Sequence, residues 1–129
     1  MVLDSSAIIA ILFQESDASL FSSAMEQSSF RKMSAGTYLE TAIVIEQSAR
    51  ARGAEDFDRL VREARIEVIP VDLQQAEIAR EAYRRYGKGN HRAGLNFGDC
   101  FAYALAKATD EKLLFKGADF GRTDIEPAL

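Results

Sequence analysis

The chain opens with Met1-Val2-Leu3-Asp4-Ser5-Ser6-Ala7, and this stretch points to the fold class. Its apolar residues predict a short buried strand. The Asp-Ser-Ser that follows predicts the start of a helix, because these side chains accept hydrogen bonds from the unpaired N–H groups of a first helical turn. A strand that leads directly into a helix is the repeating element of α/β proteins.

The same alternation of strand and helix continues through all 129 residues, a length typical of one domain. Two strands are almost continuously apolar, as parallel strands covered on both faces are. The last long helix is apolar on nearly every side, so we expect it to be buried. We predict an α/β fold, a three-layer α/β/α domain with a central parallel sheet over residues 1–129. The predicted strands are 1–3, 31–35, 66–71 and 112–115, and the predicted helices are 7–13, 18–27, 37–52, 55–65, 72–86 and 96–108.

Composition excludes several classes of protein. Apolar residues make up 47% of the chain and charged residues 28%, which is ordinary for a globular protein and unlike a disordered one. No apolar run approaches the roughly 20 residues that cross a bilayer, and no basic segment precedes the first strand, so we expect a cytoplasmic protein. With one cysteine (Cys100) and one histidine (His91), a disulfide or a multi-cysteine zinc site is excluded.

Charge is distributed unevenly. The chain carries a net charge of −4, but residues 80–92 hold five cations and one anion. Two interpretations stay open for this basic segment: a solvated helix face with a basic loop, or a local site for a polyanion. Its cations are Arg80, Arg84, Arg85, Lys88 and Arg92.

Four carboxylates stand at strand ends or helix starts, where open parallel sheets bind ligands. Each has a purely structural interpretation. Asp4 can cap a helix, and the carboxylate of Glu40 in a first helical turn interacts favourably with the helix dipole. Asp99 can form a capping box with Asn96, and Asp119 can form part of a turn.

Convergence of these four acids would be unfavourable without a cation. Two carboxylates about 4 Å apart repel by roughly 4 kcal/mol at an effective dielectric constant near 20. Either a pKa rises or a cation binds. Mg²⁺ and Mn²⁺ prefer oxygen ligands, whereas zinc prefers the nitrogen and sulfur ligands that are scarce here. Such a metal site beside a basic segment suits hydrolysis of phosphodiester bonds.

Four segments together resemble a known family. They are the opening stretch, Ser34-Ala35-Gly36-Thr37-Tyr38-Leu39-Glu40, then Asn96-Phe97-Gly98-Asp99-Cys100-Phe101-Ala102-Tyr103-Ala104, and finally Leu113-Leu114-Phe115-Lys116-Gly117-Ala118-Asp119-Phe120 with Thr123-Asp124-Ile125. In this order and spacing the chain resembles PIN-domain ribonucleases and, within them, VapC-type toxins of bacterial toxin–antitoxin systems. The resemblance covers essentially the whole chain.

This resemblance implies a Mg²⁺-dependent endoribonuclease, with Mn²⁺ as a substitute metal. It also implies an RNA substrate, often tRNA or rRNA, and inhibition by a cognate VapB-type protein antitoxin. Relatives of this type are commonly homodimers, so a homodimer is expected.

The family's site residues correspond to specific positions of this chain. Its first three acids fall on Asp4, Glu40 and Asp99, of which Asp4 and Asp99 are expected to hold the metal. The fourth falls on Asp119, although many relatives have two acids at this turn and Gly117 occupies the earlier position, so Asp124 remains a second candidate.

The remaining assignments follow from chemistry within that resemblance. We expect Glu40 to hold a metal-bound water or act as general base, Asp119 to support the first metal or a second one, and Ser6 to position water or phosphate. The number of metals stays open. Residues expected to contact RNA phosphates are Arg84, Arg85, Lys88 and Arg92.

Two alternative functions remain. A catalytically silent PIN-like RNA-binding or scaffold module has no reason to keep mutually repelling acids. A phosphoacceptor signalling domain would need an acidic pair before its first helix, where Asp4 stands alone. Metal-dependent RNA cleavage would discriminate the enzyme from both.

Overall fold

The structure, a computed structural model that describes residues 1–129, is built on a four-stranded parallel sheet. The strands are β1 (Val2–Leu3), β2 (Arg31–Ser34), β3 (Ile66–Ile69) and β4 (Leu113–Leu114). Their order is β3-β2-β1-β4, and every pairing is parallel. The predicted parallel sheet is therefore confirmed.

Six helices connect the strands and cover the sheet. They are α1 (Ser5–Leu12), α2 (Ala18–Gln27), α3 (Ala35–Gln47), α4 (Gly53–Glu63), α5 (Leu73–Tyr86) and α6 (Phe97–Thr109), and a 3₁₀ turn follows at Phe120–Arg122. None of these helices combines the length and hydropathy that crossing a membrane requires.

Alternating side chains of the central strands pack into two separate cores. Val2 and Leu113 belong to one core with Leu105 of α6, whereas Leu3 and Leu114 belong to the other with apolar residues of α1, α2 and α4. Because successive side chains of a strand point to opposite faces of the sheet, the two cores lie on opposite faces. The three-layer α/β/α architecture follows from this arrangement.

The sheet order places a topological switch point at β1. The chain first extends the sheet from β1 through β2 to β3, and then returns to add β4 on the other side of β1. Open parallel sheets bind ligands outside the carboxyl ends of the strands at such a point. The residues that follow β1 and β4 are therefore the first place to look for a site.

Two sequence predictions about helices were wrong in detail. The helix predicted over 37–52 ends at Gln47, because Ala49 adopts a left-handed conformation with φ 57° that interrupts the helix. The last helix was expected to be buried on nearly every side. Most of α6 is buried, but Phe97, the first residue of the helix, is 78% exposed.

Candidate active site

Asp4 lies at the carboxyl end of β1 and caps helix α1. Its Oδ2 accepts hydrogen bonds from the backbone N–H of Ser6 at 3.0 Å and from the Ser6 hydroxyl at 2.5 Å. The side chain is almost fully buried, and its Oδ1 has no hydrogen-bond partner. The capping interpretation is therefore correct for one oxygen, and it leaves the other oxygen unsatisfied.

Ser6 connects two strand ends at this site. Besides donating to Asp4, its Oγ accepts a hydrogen bond from the backbone N–H of Lys116 at 2.9 Å. Lys116 follows β4, so the hydroxyl ties the loop after β4 to the start of α1. This contact fixes the orientation of the Asp4 carboxylate.

Glu40 reaches the same region from helix α3. Its Oε1 accepts a hydrogen bond from the Ser5 hydroxyl at 2.7 Å. Its Oε2 lies against Gly98 of α6, where a Cβ atom would stand only 1.6 Å away. Only glycine leaves room for the carboxylate, so Gly98 and Ser5 together seat Glu40.

The sequence did not lead us to predict that Gly98 leaves space for the carboxylate of Glu40. A signal was present, because glycine destabilises a helix by roughly 0.5–1 kcal/mol relative to alanine and Gly98 precedes Asp99 inside the first turn of α6. That cost indicates a packing or functional reason for the glycine.

Asp99 forms the capping box that the sequence allowed. Its Oδ2 accepts from the backbone N–H of Asn96 at 2.9 Å, and its own N–H donates to Asn96 Oδ1 at 2.8 Å. The box holds the carboxylate at the start of α6.

The electrostatics of the pocket show that these acids act on one another. Burial raises the pKa of Asp4. The hydrogen bonds from Ser6 lower this pKa, and the charge of Glu40 raises it. Burial also raises the pKa of Asp99 to about 6, with additional contributions from the charges of Asp4, Glu40 and Asp119. All four predicted acids are therefore near enough to interact.

Asp119 and Asp124, the two candidates for the fourth acid, have different surroundings. Asp119 is exposed just before the 3₁₀ turn, and its charge acts on Asp99. Asp124 accepts from the Tyr103 hydroxyl at 2.7 Å and pairs with Lys107 at 2.8 Å. Burial opposes ionisation of Asp124, but the hydrogen bonds from Lys107 and Tyr103 lower its pKa. Asp124 thus already has partners near the other end of α6.

The predicted RNA-contacting cations are spread along α5 and the loop after it. Arg84 pairs with Glu81, and Arg85 donates to the Tyr86 hydroxyl at 2.8 Å. Arg92 is exposed in the loop, and Lys88 lines a groove between α5 and α6. These side chains do not form one tight cluster.

The donor set of the pocket fits a hard divalent cation. No three His, Cys, Asp or Glu side chains form a ready-made group of metal ligands. Mg²⁺ does not need one, because it takes one or two carboxylates and keeps several waters. The buried Asp4 Oδ1 has no hydrogen-bond partner and could serve as a ligand atom. Burial and the charges of three other acids raise the pKa of Asp99, and a bound cation would offset both effects.

Comparisons with known proteins identify the family of this chain. The model of the PIN domain family matches residues 1–126. A ribonuclease VapC of Mycolicibacterium smegmatis is 52% identical over 97% of this chain and 97% of its own length. Ribonuclease VapC30 of Mycobacterium tuberculosis is 50% identical over 97% of this chain and 95% of its own length.

Solved structures show the same fold. A crystal structure of Mycobacterium tuberculosis VapC20, described as a Sarcin-Ricin loop cleaving toxin, superimposes with a TM-score of 0.75 at 16% identity and covers 98% of each chain. A crystal structure of FitAcB from Neisseria gonorrhoeae gives a TM-score of 0.66, also at 16% identity, and covers 98% of this chain and 94% of that one. The family match and the closely similar curated sequences show that this chain belongs to the PIN-domain family and, within it, to the VapC ribonucleases.

Proposed function

We propose that the acidic pocket is the active site of a Mg²⁺-dependent endoribonuclease, and that the chain is the toxic component of a type II toxin–antitoxin system. The observation that carries this proposal is the buried Asp4, whose Oδ1 has no partner, together with Asp99, whose pKa is raised by burial and further by the charges of three acids. Membership of the VapC ribonucleases identifies RNA as the substrate that fits such a pocket.

Asp4 and Asp99 are the proposed metal ligands. A divalent cation bound there, Mg²⁺ or Mn²⁺, supplies a water of lowered pKa and neutralises charge on the phosphate. Ser6 holds the Asp4 carboxylate so that Oδ2 is engaged and Oδ1 is available.

Glu40 and Asp119 have supporting roles in the proposal. Glu40 is seated by Ser5 and Gly98, so its carboxylate can orient the attacking water and accept its proton. Asp119 is exposed and its charge acts on Asp99, so it would support the first metal or hold a second one. Asp124 has no metal role in the proposal, because it accepts a hydrogen bond from Tyr103 and pairs with Lys107.

The proposed substrate is tRNA or rRNA. The VapC20 structure is described as that of a toxin that cleaves the Sarcin-Ricin loop, which supports RNA as the substrate class. The cations proposed to contact phosphates are Arg84, Arg85, Lys88 and Arg92, all of which are exposed. Reversing these charges should weaken the salt dependence of RNA binding, because fewer counterions would be released.

The proposed protein partners are a VapB-type antitoxin, which inhibits the enzyme, and a second copy of the chain. An exposed apolar pair on α3, Leu39 and Ile43, supports a protein interface next to Glu40. Light scattering on the purified chain, alone and with Leu39→Ser, would test the homodimer.

Cleavage of RNA by partner-free protein tests the central proposal. Wild type, Asp99→Asn and the matched control Asp124→Asn are mixed with total RNA at several concentrations of Mg²⁺ or Mn²⁺. We expect wild type and Asp124→Asn to cleave, Asp99→Asn to be inactive, and EDTA to abolish cleavage. Equal cleavage by wild type and Asp99→Asn would contradict the assignment of this pocket.

Metal binding can be measured without cleavage. A ligand that binds only the folded protein raises its unfolding temperature by mass action. We expect Mg²⁺ to raise the melting temperature of EDTA-treated wild type and to have a much smaller effect on Asp4→Asn. An equal rise in both proteins would argue against Asp4 as a ligand.

A further inference from the structure

Lys116, which follows β4, makes polar contacts with its side chain and with its backbone. The ammonium group donates hydrogen bonds to Glu15 Oε2 and, at 3.0 Å, to Asp17 Oδ1. The backbone N–H donates to the Ser6 hydroxyl at 2.9 Å. One residue therefore joins the loop after β4 both to the segment between α1 and α2 and to the first turn of α1.

The backbone contact of Lys116 bears on the orientation of the Asp4 carboxylate. A serine hydroxyl has a single proton to donate. Because the Ser6 oxygen accepts from the N–H of Lys116, its own proton is directed to Asp4 Oδ2, 2.5 Å away. The Oδ1 atom of Asp4 is left without a partner. The position of the Lys116 N–H thus helps to decide how the Asp4 carboxylate is held.

The loop that begins at Lys116 also acts on the second proposed metal ligand. Gly117 adopts a φ of 102°, in the region that favours glycine, so the chain turns directly after Lys116. Asp119 follows this turn, and its charge acts on Asp99. The loop is therefore connected to Asp4 through Ser6 and acts on Asp99 through Asp119.

The acids that pair with Lys116 have no other ion-pair partner. Asp17 occupies the N-cap position of α2, where aspartate usually accepts a hydrogen bond from the first turn of its own helix. Its side chain makes no such bond and instead pairs with Lys116, 99 residues away in sequence. The pairing thus takes the place of a local capping contact.

The ion pairs of Lys116 are better suited to fix a position than to stabilise the fold. The three side chains are between 30% and 39% exposed, and water weakens ion pairs of this kind. A displacement of about 1 Å in an active site, in contrast, can lower a rate by about 100-fold. Loss of these pairs should therefore affect the site more than it affects folding.

We propose that Lys116 is a positioning residue of the active site. Its ion pairs with Glu15 and Asp17 fix the loop after β4. The backbone N–H in this loop then holds the Ser6 hydroxyl, and the hydroxyl holds Asp4 in the orientation that binds the metal. This inference rests on the proposed function, because it needs a metal ion at Asp4.

A direct contact between the Lys116 ammonium group and an RNA phosphate is the alternative role. The two roles differ when Glu15 and Asp17 are removed, because a phosphate-binding lysine would be released whereas a positioning lysine would lose its anchor. They differ also without RNA, where only the positioning role affects the binding of metal.

Metal binding in the absence of RNA tests the proposal. The apparent Mg²⁺ dissociation constant of EDTA-treated protein is obtained from the rise of its melting temperature with Mg²⁺ concentration. Wild type is compared with Lys116→Gln, with Lys116→Arg and with the double variant Glu15→Gln, Asp17→Asn. The matched control is Lys112→Gln, because Lys112 pairs with Glu126 at 3.1 Å at the other end of β4.

We expect Lys116→Gln and the double variant to weaken Mg²⁺ binding about tenfold, the lower end of the range for residues that orient a metal ligand. Removal of a positive charge would by itself strengthen cation binding, so a weakening in Lys116→Gln reports orientation. Lys116→Arg, which keeps the charge, should retain most of the affinity, and Lys112→Gln should bind as wild type does. Unchanged or tighter binding of Mg²⁺ by Lys116→Gln would overturn the proposal.

Folding of each variant is checked by its melting temperature in EDTA. We expect this temperature to stay within about 4 °C of wild type, since exposed ion pairs contribute little to stability. A variant that folds normally but binds Mg²⁺ weakly supports a positioning role. A large fall in melting temperature with unchanged Mg²⁺ affinity would show that the ion pairs serve the fold alone.

A double-mutant cycle with Ser6 tests the route of the effect. Ser6→Ala removes the link between the Lys116 N–H and Asp4. In that background Lys116→Gln should cause almost no further loss of Mg²⁺ affinity, because residues that act through one another are not additive. A further tenfold loss would contradict the proposed route through the Ser6 hydroxyl.

RNA cleavage separates the failure of this inference from that of the proposed function. We expect Lys116→Gln and the double variant to cleave slowly at low Mg²⁺ and to approach the wild-type rate at high Mg²⁺. Normal cleavage by the double variant and impaired cleavage by Lys116→Gln would indicate a phosphate contact and overturn the positioning role. If wild type binds Mg²⁺ and cleaves RNA but Lys116→Gln equals it, only this inference fails. If wild type does neither, the proposed function fails as well.

Discussion

Carboxylates at the two ends of the parallel sheet have pKa values shifted in opposite directions. At the carboxyl end, Asp4 and Asp99 are surrounded by other acids, and burial together with those charges raises the pKa of both. At the amino end, Glu111 accepts from the amino group of Met1 at 2.6 Å and pairs with Lys32. Burial opposes ionisation of Glu111, but the hydrogen bonds and charges of these two cations lower its pKa.

This difference distinguishes an acid that stabilises the fold from acids that are held ready for a ligand. Glu111 joins the amino terminus and β2 to the segment before β4, so its charge is satisfied within the protein. At the other end, Asp4 and Asp99 form no salt bridge and their pKa values are raised, so their ionisation lowers the stability of the folded state until a cation binds. The following predictions test this contrast.

Asp99→Asn should have the largest effect on activity. The side chain keeps its shape and can still accept from Asn96, but it loses its charge. We expect RNA cleavage to fall about 10²–10³-fold, as when one preorganised electrostatic contact is lost from an active site. Initial rates of cleavage of a mapped RNA site give this ratio, and Glu111→Gln should cleave at the wild-type rate.

The same Asp99→Asn substitution should stabilise the metal-free protein at neutral pH. A carboxyl whose pKa rises from 3.8 to about 6 on folding binds protons more tightly in the folded state. Its ionisation therefore lowers stability as pH rises through that range. We expect a gain of about 1 kcal/mol at pH 7, since the side chain is partly screened by solvent, and almost none at pH 4. Urea unfolding in EDTA at both pH values measures it, and a loss of stability at pH 7 would contradict the contrast.

Gly98→Ala should impair activity without unfolding the protein. The new Cβ would displace the flexible end of Glu40, while the backbone of α6 is free to remain helical. A displacement of about 1 Å in an active site costs up to about 100-fold in rate, so we expect a 10- to 100-fold loss. Gly121→Ala, which meets no atom within 4 Å, is the matched control and should retain activity. Normal activity of Gly98→Ala would show that the position of the Glu40 carboxylate against Gly98 is not needed for cleavage.

Glu111→Gln should reduce stability and leave activity intact. Because folding lowers the pKa of Glu111, its contribution is present above its ordinary pKa of 4.5 and is lost as pH falls below it. We expect a destabilisation of about 1 kcal/mol at pH 7 that shrinks toward pH 4, opposite in sign to the effect of Asp99→Asn. Chemical unfolding across this pH range checks both the sign and the size.

Arg59→Gln should show the smallest effect and provides the baseline. Arg59 pairs with Asp56 at 3.6 Å on α4, and both side chains are about half exposed. Exposed pairs of this kind contribute less than about 0.5 kcal/mol. If the free energy of unfolding changed as much as in Glu111→Gln, the enclosed position of Glu111 would not explain its importance.

Much of the fold was predictable from local sequence patterns. The apolar runs of β1 and β3 and the capping residues Asp4, Asp72 and Asn96 mark element boundaries, because capping depends only on residues within one helical turn. Helix α2 was predicted with its observed ends. The early end of α3 was missed because Ala49 adopts its left-handed conformation without glycine or any other local signal.

The sequence by itself determined the strand–helix alternation, the acids available to the site and the absence of His and Cys clusters, since these follow from residue type and spacing. Only the tertiary structure decided which oxygen of Asp4 is left without a partner, where Glu40 is seated, and which side of α6 remains open around Phe97. Those features arise where elements far apart in the chain come together, as α3 and α6 do at Glu40 and Gly98. No local pattern records contacts made across the sheet.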